Sequence, residues 1–176
     1  MFKVIDRVRY ALYKHYVPLH IGAGAWNAER IEDRTPEFVR VLYPNKRIGG
    51  VGDASYTWRE KSRAHHQHQR TTYCSYKGRN CLKIHAIVSA MGDTIALDGP
   101  ILSDKTNSDA KIWDWISSDP HSDVNAIFDP NEHTMVMDRG YIGCHKGPGS
   151  YDLVWPSKWE EDDSKQLTQQ EANEGR

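Results

Sequence analysis

Apolar residues in the first part of the chain recur at the spacing of helices. Between residues 3 and 16 they fall three or four positions apart, which predicts an amphipathic helix that Pro18, Gly22 and Gly24 end. Asn27 has the side chain of a helix N-cap, and Thr35 stands before a proline-glutamate step that opens another short helix. We therefore expect an N-terminal helical segment over residues 1–45.

Short apolar runs replace the helical spacing after residue 46 and indicate strands. A Met-Gly-Asp turn joins the second run to the third, so these two are expected to pair as a hairpin. One stretch with helical spacing follows, and two further strands come after it. The predicted elements are strands at 48–57, 81–90 and 94–97, a helix at 108–116, and strands at 134–137 and 153–155.

This order of elements predicts an α/β domain over residues 46–176 and resembles the ribonuclease-H-like nucleases, in which helices flank a mixed sheet. In those nucleases a carboxylate on the first strand meets one at the end of the fourth, and Asp53 and Asp138 occupy these places. Two divalent ions about 4 Å apart activate an attacking oxygen and hold the leaving oxygen. Aspartate oxygens suit magnesium or manganese. Spacing alone is weak support, since a strand-end aspartate is commonly a turn residue.

Several short sequence steps add to this pattern when they are taken in order. They are Gly52–Tyr56, Glu60–Ser62, Gln69–Tyr73, Lys77–Arg79, Leu82–Lys83, Asp98–Pro100, Asn107–Ala110 and Met137–Tyr141. Together they resemble the Harbinger-like DDE superfamily endonucleases, which are nuclease domains of transposases, over roughly residues 30–176.

The resemblance implies roles for three aspartates. Asp53 and Asp138 match the first two members of the family's catalytic triad, and together with Asp109 they match its metal-binding acids. Asp109 has a second interpretation, because an acid in the first turn of a helix is favourable without any metal. The implied activity is divalent-metal-dependent cleavage or strand transfer of DNA.

Two departures from the family pattern change these expectations. The family's third carboxylate is a glutamate that follows an Asn-x-x-Arg step, and residues 173–176 begin such a step as the sequence stops. With two carboxylates the second ion is poorly held, so we expect the chain alone to be inactive. Glu171 and Glu174 precede the family position and are not assigned to the site. Gly52 replaces a bulkier residue, which weakens the first strand.

Charge is distributed unevenly, although the whole chain carries a net charge of −1. Between residues 58 and 83 seven lysines and arginines stand against one acid, with histidines and tyrosines among them. Such a mixture favours phosphate backbones and unstacked bases. The residues predicted to contact DNA are Arg63, Arg70, Lys77 and Arg79. The first thirty residues show no zinc-finger or helix-turn-helix pattern, so target recognition is expected from a separate module or partner protein.

Size and cysteine content place further limits. A chain of 176 residues with 38% hydrophobic residues can bury a core without cross-links. Three cysteines without a C-x-x-C pair favour a reducing compartment, nuclear or cytoplasmic. Apolar runs are too short to span a bilayer, so no membrane association is expected.

Two alternatives to a nuclease remain open. A domesticated module would keep the basic surface for DNA or protein binding and carry out no chemistry. A metal phosphoesterase would instead use Asp53 and Asp138 with a histidine. The first predicts salt-sensitive DNA affinity that does not depend on the carboxylates, whereas the second predicts turnover of a small phosphate ester.

Overall fold

A computed structural model describes residues 2–145 and 149–155. Within these residues, helices precede and flank one curled mixed sheet. The helices are α1 (Phe2–Ala11), α2 (Val17–His20), α3 (Ala28–Asp33), α4 (Glu37–Leu42), α5 (His66–Thr71), α6 (Asp109–Ser118) and α7 (Asp123–Ile127), with a π-helical turn at Leu12–Tyr16 and a 3-10 turn at Arg139–Tyr141. The strands are β1 (Arg47–Trp58), β2 (Tyr73–Cys74), β3 (Arg79–Val88), β4 (Thr94–Leu102), β5 (His133–Met137) and β6 (Asp152–Val154).

The central strand β1 forms hydrogen bonds along both of its edges. It pairs antiparallel with β3 and parallel with β5. Beyond them, β6 pairs parallel with β5, and β2 and β4 pair antiparallel with β3. The path across the sheet is therefore β4, β3, β1, β5, β6, with β2 also beside β3. This arrangement confirms the predicted α/β class with a mixed sheet.

Helix α6 covers one face of this sheet and supplies much of the core. Ser108 caps the helix by accepting a hydrogen bond from the backbone N–H of Lys111. The apolar side of α6 then lies in one buried cluster with residues from β3, β4 and β5. The members of that cluster include Ala110, Ile112, Trp113, Ile116, Ile87, Ile95, Met135 and Met137. The helix predicted at 108–116 is thus confirmed.

The opposite face of the sheet is partly open to solvent. Alternate residues of β1 are exposed on this face, among them Val51 at 38%, and Leu97 on β4 is 45% exposed. Because side chains alternate between the two faces of a strand, β1 presents one row of residues to the α6 side and another to this open face.

The N-terminal helical segment differs from the prediction at Pro18. Helical backbone continues from Phe2 to His20 through the π-helical turn, so Pro18 does not end the helix. Pro18 lies in the first turn of α2, directly after the π-helical turn, and it lacks the backbone N–H that another residue would donate to that turn. The apolar stripe of this segment, including Val4, Ile5, Val8 and Leu12, is exposed.

Other differences are additions to the predicted elements. Strand β4 continues to Leu102, well past the predicted end at residue 97, and α5, β2 and α7 were not predicted. These added helices have six residues or fewer and β2 has two, too few for periodicity to be informative.

Contacts after the first helices attach the N-terminal segment to the sheet. The backbone N–H of Gly22 donates to the carbonyl of Ile95 at 2.6 Å, and that of Ala23 donates to Asp123 at 3.0 Å. Arg34 forms a salt bridge with Asp93 at 2.9 Å. Among the described residues, none of the helices is long and apolar enough to cross a membrane.

A buried histidine lies at the centre of the core. His85 on β3 is fully buried between the rings of Trp113 and Tyr141, and neither ring nitrogen has a hydrogen-bond partner among the described residues. Burial lowers the pKa of His85 to about 4, despite the opposing charge of Asp109. The folded protein therefore holds this imidazole neutral where an unfolded chain would protonate it.

We expect His85 to make stability depend on pH below neutrality. Since its folded pKa is depressed from 6.5 to about 4, the unfolded state takes up a proton first and stability falls as the pH falls. Between about pH 7 and pH 5 the wild type should lose about 2 kcal/mol more than His85→Leu. Urea unfolding at both pH values measures this difference, and equal losses in the two proteins would contradict it.

Candidate metal site

Asp53 and Asp138 lie side by side where β1 and β5 run parallel. Gly52 is paired with Met137 in the register of the two strands. The residue that follows each of them is an aspartate, Asp53 after Gly52 and Asp138 after Met137. Neighbouring strands are about 4.8 Å apart, which brings the two aspartate backbones together. The structure thus places both sequence-predicted acids next to each other in the middle of the sheet, where the pairing of β1 with β5 ends.

Both carboxylates are on the open face of the sheet. Gly52 and Met137 are buried on the α6 side, and the backbone of Asp138 is still extended, so alternation directs both aspartates the other way. Asp53 and Asp138 are exposed. Each accepts one hydrogen bond from nearby backbone, Asp53 from the N–H of Ala54 and Asp138 from the N–H of Gly140, both at 2.7 Å.

Gly140 lies between Asp138 and Asp109. A Cβ atom at Gly140 would stand 2.8 Å from a carboxylate oxygen of Asp138 and 3.4 Å from one of Asp109. Asp109 therefore reaches the same corner of the molecule from the first residue of α6. A side chain at position 140 would therefore displace the Asp138 carboxylate.

Asp109 is held by a buried lysine. The ammonium of Lys83 on β3 donates to Asp109 and to the carbonyl of Asn107, at 2.7 and 2.8 Å. The side chain of Lys83 is 6% exposed and that of Asp109 is 24% exposed. Burial disfavours the charged form of Lys83 and by itself would lower its pKa. The pKa is nevertheless raised overall, because Asp109 accepts its hydrogen bond and carries the opposite charge.

Tyr141 lies beneath these acids. Its ring is fully buried and its hydroxyl has no hydrogen-bond partner among the described residues. The pKa of Tyr141 is raised, first by burial and then by the negative charges of Asp109, Asp53 and Asp138. All three acids thus act on one buried hydroxyl, which remains neutral and available as a hydrogen-bond donor.

Exposed carboxylates on two adjacent strands form a donor set that suits a hard divalent cation. Asp53 and Asp138 supply the oxygens, and the N–H groups of Ala54 and Gly140 orient them. Asp109 is already paired with Lys83, so its carboxylate is partly neutralised. In the described ranges no three His, Cys, Asp or Glu side chains are grouped closely enough to hold an ion by themselves.

The predicted DNA-contacting residues divide into two groups, all exposed. Arg63 lies in the connection after β1 and Arg70 lies on α5, which Asn80 of β3 anchors through the carbonyl of Gln69 at 2.7 Å. Lys77 lies in the turn before β3 and Arg79 begins β3, and both stand over aromatic rings.

The sequence alone predicted no role for two residues that lie beside the acids. Lys83 and Tyr141 both occur in the short family-like steps, but their burial beside the acids depends on the pairing of β1 with β3 and on the docking of α6. A lysine inside an alternating apolar strand was the available signal, since such a residue requires a buried partner. Glu171 and Glu174 fall outside the described residues.

We expect the Lys83–Asp109 pair to hold α6 on the sheet. Asp109→Asn should lower the free energy of unfolding by about 3 kcal/mol, because it leaves a buried ammonium without its counter-charge. Urea denaturation measures the change. The double variant Lys83→Met/Asp109→Leu removes both charges and should recover most of the loss. Unchanged stability in Asp109→Asn would show that the pair does not stabilise this packing.

Comparisons with protein-family profiles, with curated proteins and with solved structures gave no match to this chain. The resemblance to Harbinger-like DDE endonucleases therefore remains a prediction that rests on the sequence steps themselves. The fold and the geometry of the site are the evidence on which a function is proposed.

Proposed function

We propose that the chain is a ribonuclease-H-like nuclease domain of the DDE transposase type, a class of domain that acts on DNA phosphodiesters with magnesium or manganese. The observation that carries this proposal is the adjacent placement of Asp53 on β1 and of Asp138 directly after the parallel strand β5. The path β4, β3, β1, β5, β6, antiparallel on one side of β1 and parallel on the other, supports it.

In this proposal Asp53 and Asp138 hold the metal and the backbone orients them. The N–H of Gly140 keeps one oxygen of Asp138 turned toward the 3-10 turn and leaves the other free to bind. Bound divalent ions supply the activation of an attacking oxygen and the stabilisation of a leaving oxygen. The basic residues on the first part of β3 and on α5 provide the attraction for a phosphate backbone.

A non-catalytic DNA-binding module is the second candidate. The ion pair between Lys83 and Asp109 favours this candidate, because it occupies one of the three carboxylates that were predicted to bind metal. A phosphoesterase that relies on a histidine is less well supported. His85 is the histidine on the strand next to Asp53, but it is buried on the α6 face, opposite to the two aspartates.

Manganese titration by calorimetry separates these candidates. Wild type should bind the ion, and Asp53→Asn and Asp138→Asn should each weaken binding at least about tenfold, since each removes a ligand oxygen from one shared site. Asp33→Asn alters an exposed aspartate on α3 and should bind as wild type does. Circular dichroism verifies the fold of all four proteins. A folded wild type that binds no manganese would favour the non-catalytic module.

Gly140→Ala tests the orientation of Asp138 without removing any carboxylate. The added methyl group would meet the Asp138 oxygen at 2.8 Å, so the carboxylate must turn away. We expect manganese affinity to fall about tenfold, as it does when groups that orient a ligand are altered, while the unfolding transition changes little. Wild-type affinity in this variant would mean that the orientation of Asp138 is not important for binding.

A further inference from the structure

Large aromatic rings are exposed at the end of β1 and in the turn before β3. Trp58 is 56% exposed and Tyr76 is 82% exposed. The guanidinium of Arg79 stands 4.9 Å from the centre of the Trp58 ring, and the ammonium of Lys77 stands 4.7 Å from the centre of the Tyr76 ring. We call these four residues the aromatic platform.

The platform borders an open cleft of about 460 Å³. Trp58 and Arg79 line the cleft together with Arg59, Glu60 and Lys61. Three cations and one acid leave this surface positively charged. Exposed apolar area next to positive charge is characteristic of a surface that receives a ligand, because water solvates the rings poorly and the cations attract an anion.

A row of contacts connects the platform to the candidate metal site. Lys77 also stands 5.2 Å from the centre of the Tyr56 ring, and Lys83 stands 5.3 Å from the centre of the same ring. Lys83 in turn binds Asp109. Trp58 follows Asp53 by five positions along β1, which is about 17 Å of extended strand, and alternation turns the two side chains to opposite faces of the sheet.

We propose that the aromatic platform binds unpaired nucleotides of single-stranded DNA, by stacking bases on Trp58 and Tyr76 while the neighbouring cations bind the phosphates. This inference rests on the proposed nuclease function, which makes DNA the ligand, and it specifies the form of DNA that the site receives. In a duplex the base faces are stacked on each other and cannot reach a protein ring. Unpaired bases offer a free face, and each stacked base adds affinity that does not depend on sequence.

Fluorescence anisotropy with a labelled oligothymidine of about 20 nucleotides, beside a duplex of equal length, tests the platform. Wild type should bind the single strand more tightly than the duplex. Trp58→Ala and Tyr76→Ala should each weaken single-strand binding about tenfold and change duplex binding little. Trp58→Phe keeps an aromatic face and should retain most of the affinity.

Trp115 provides a matched control for Trp58. It is 58% exposed but lies on α6, away from the cleft, so Trp115→Ala should bind both forms of DNA as wild type does. Equal losses for duplex and single strand in the platform variants, or no loss in either, would overturn the inference. A loss in Trp115→Ala as large as that in Trp58→Ala would also overturn it.

Manganese titration of the same proteins distinguishes the proposed platform from the proposed nuclease function. The platform variants should bind manganese as wild type does, because none of the altered residues belongs to the metal site. A wild type that binds manganese but does not prefer the single strand over the duplex refutes the platform and leaves the nuclease proposal standing. Single-strand preference in a wild type that binds no manganese supports the platform and refutes the nuclease proposal.

Discussion

The close packing around Gly52 is the constraint on which the rest of the structure depends. A Cβ atom there would meet the sulfur of Met137 and come within 3.0 Å of Ile87, so a larger residue would force these two side chains to shift, whereas glycine lets β5, β1 and β3 pack closely in this register. A slip of one residue would turn every side chain of β1 to the other face. Gly52 therefore weakens the strand as an isolated segment, yet it allows Asp53 and Asp138 to share one face.

Asp109 pairs with Lys83, and it is also one of the three acids predicted to bind metal. Lys83 is buried on the α6 face and needs a counter-charge, since an unpaired ammonium in the core is strongly unfavourable. Asp109 meets that need from the first turn of α6, and in doing so it ties the helix to β3. The same carboxylate also approaches Gly140 beside Asp138. A role in metal binding would therefore have to be reconciled with its role in holding the helix.

The two faces of the sheet differ in the polar groups that they bury and expose. The α6 face buries His85 and Tyr141 without hydrogen-bond partners for their polar atoms among the described residues, which raises the energetic cost of the folded state. The open face exposes two carboxylates, and the end of β1 exposes the aromatic platform. Unpartnered buried polar groups and exposed aromatic rings are both common at functional sites, and here they lie on β1 and β3 and in the turns next to β3 and β5.

The sequence by itself determined the elements with strong local periodicity, namely β1, β3, α6 and β5, and it identified Asp53 and Asp138 as acids on strands of one mixed sheet. It did not determine that Pro18 lies within a continuing helix, that Lys83 pairs with Asp109, or that Arg79 covers Trp58. Alternation and helical spacing report which side of an element is buried. Contacts between residues distant along the chain depend on strand register and on the docking of α6, and only the tertiary structure decided these.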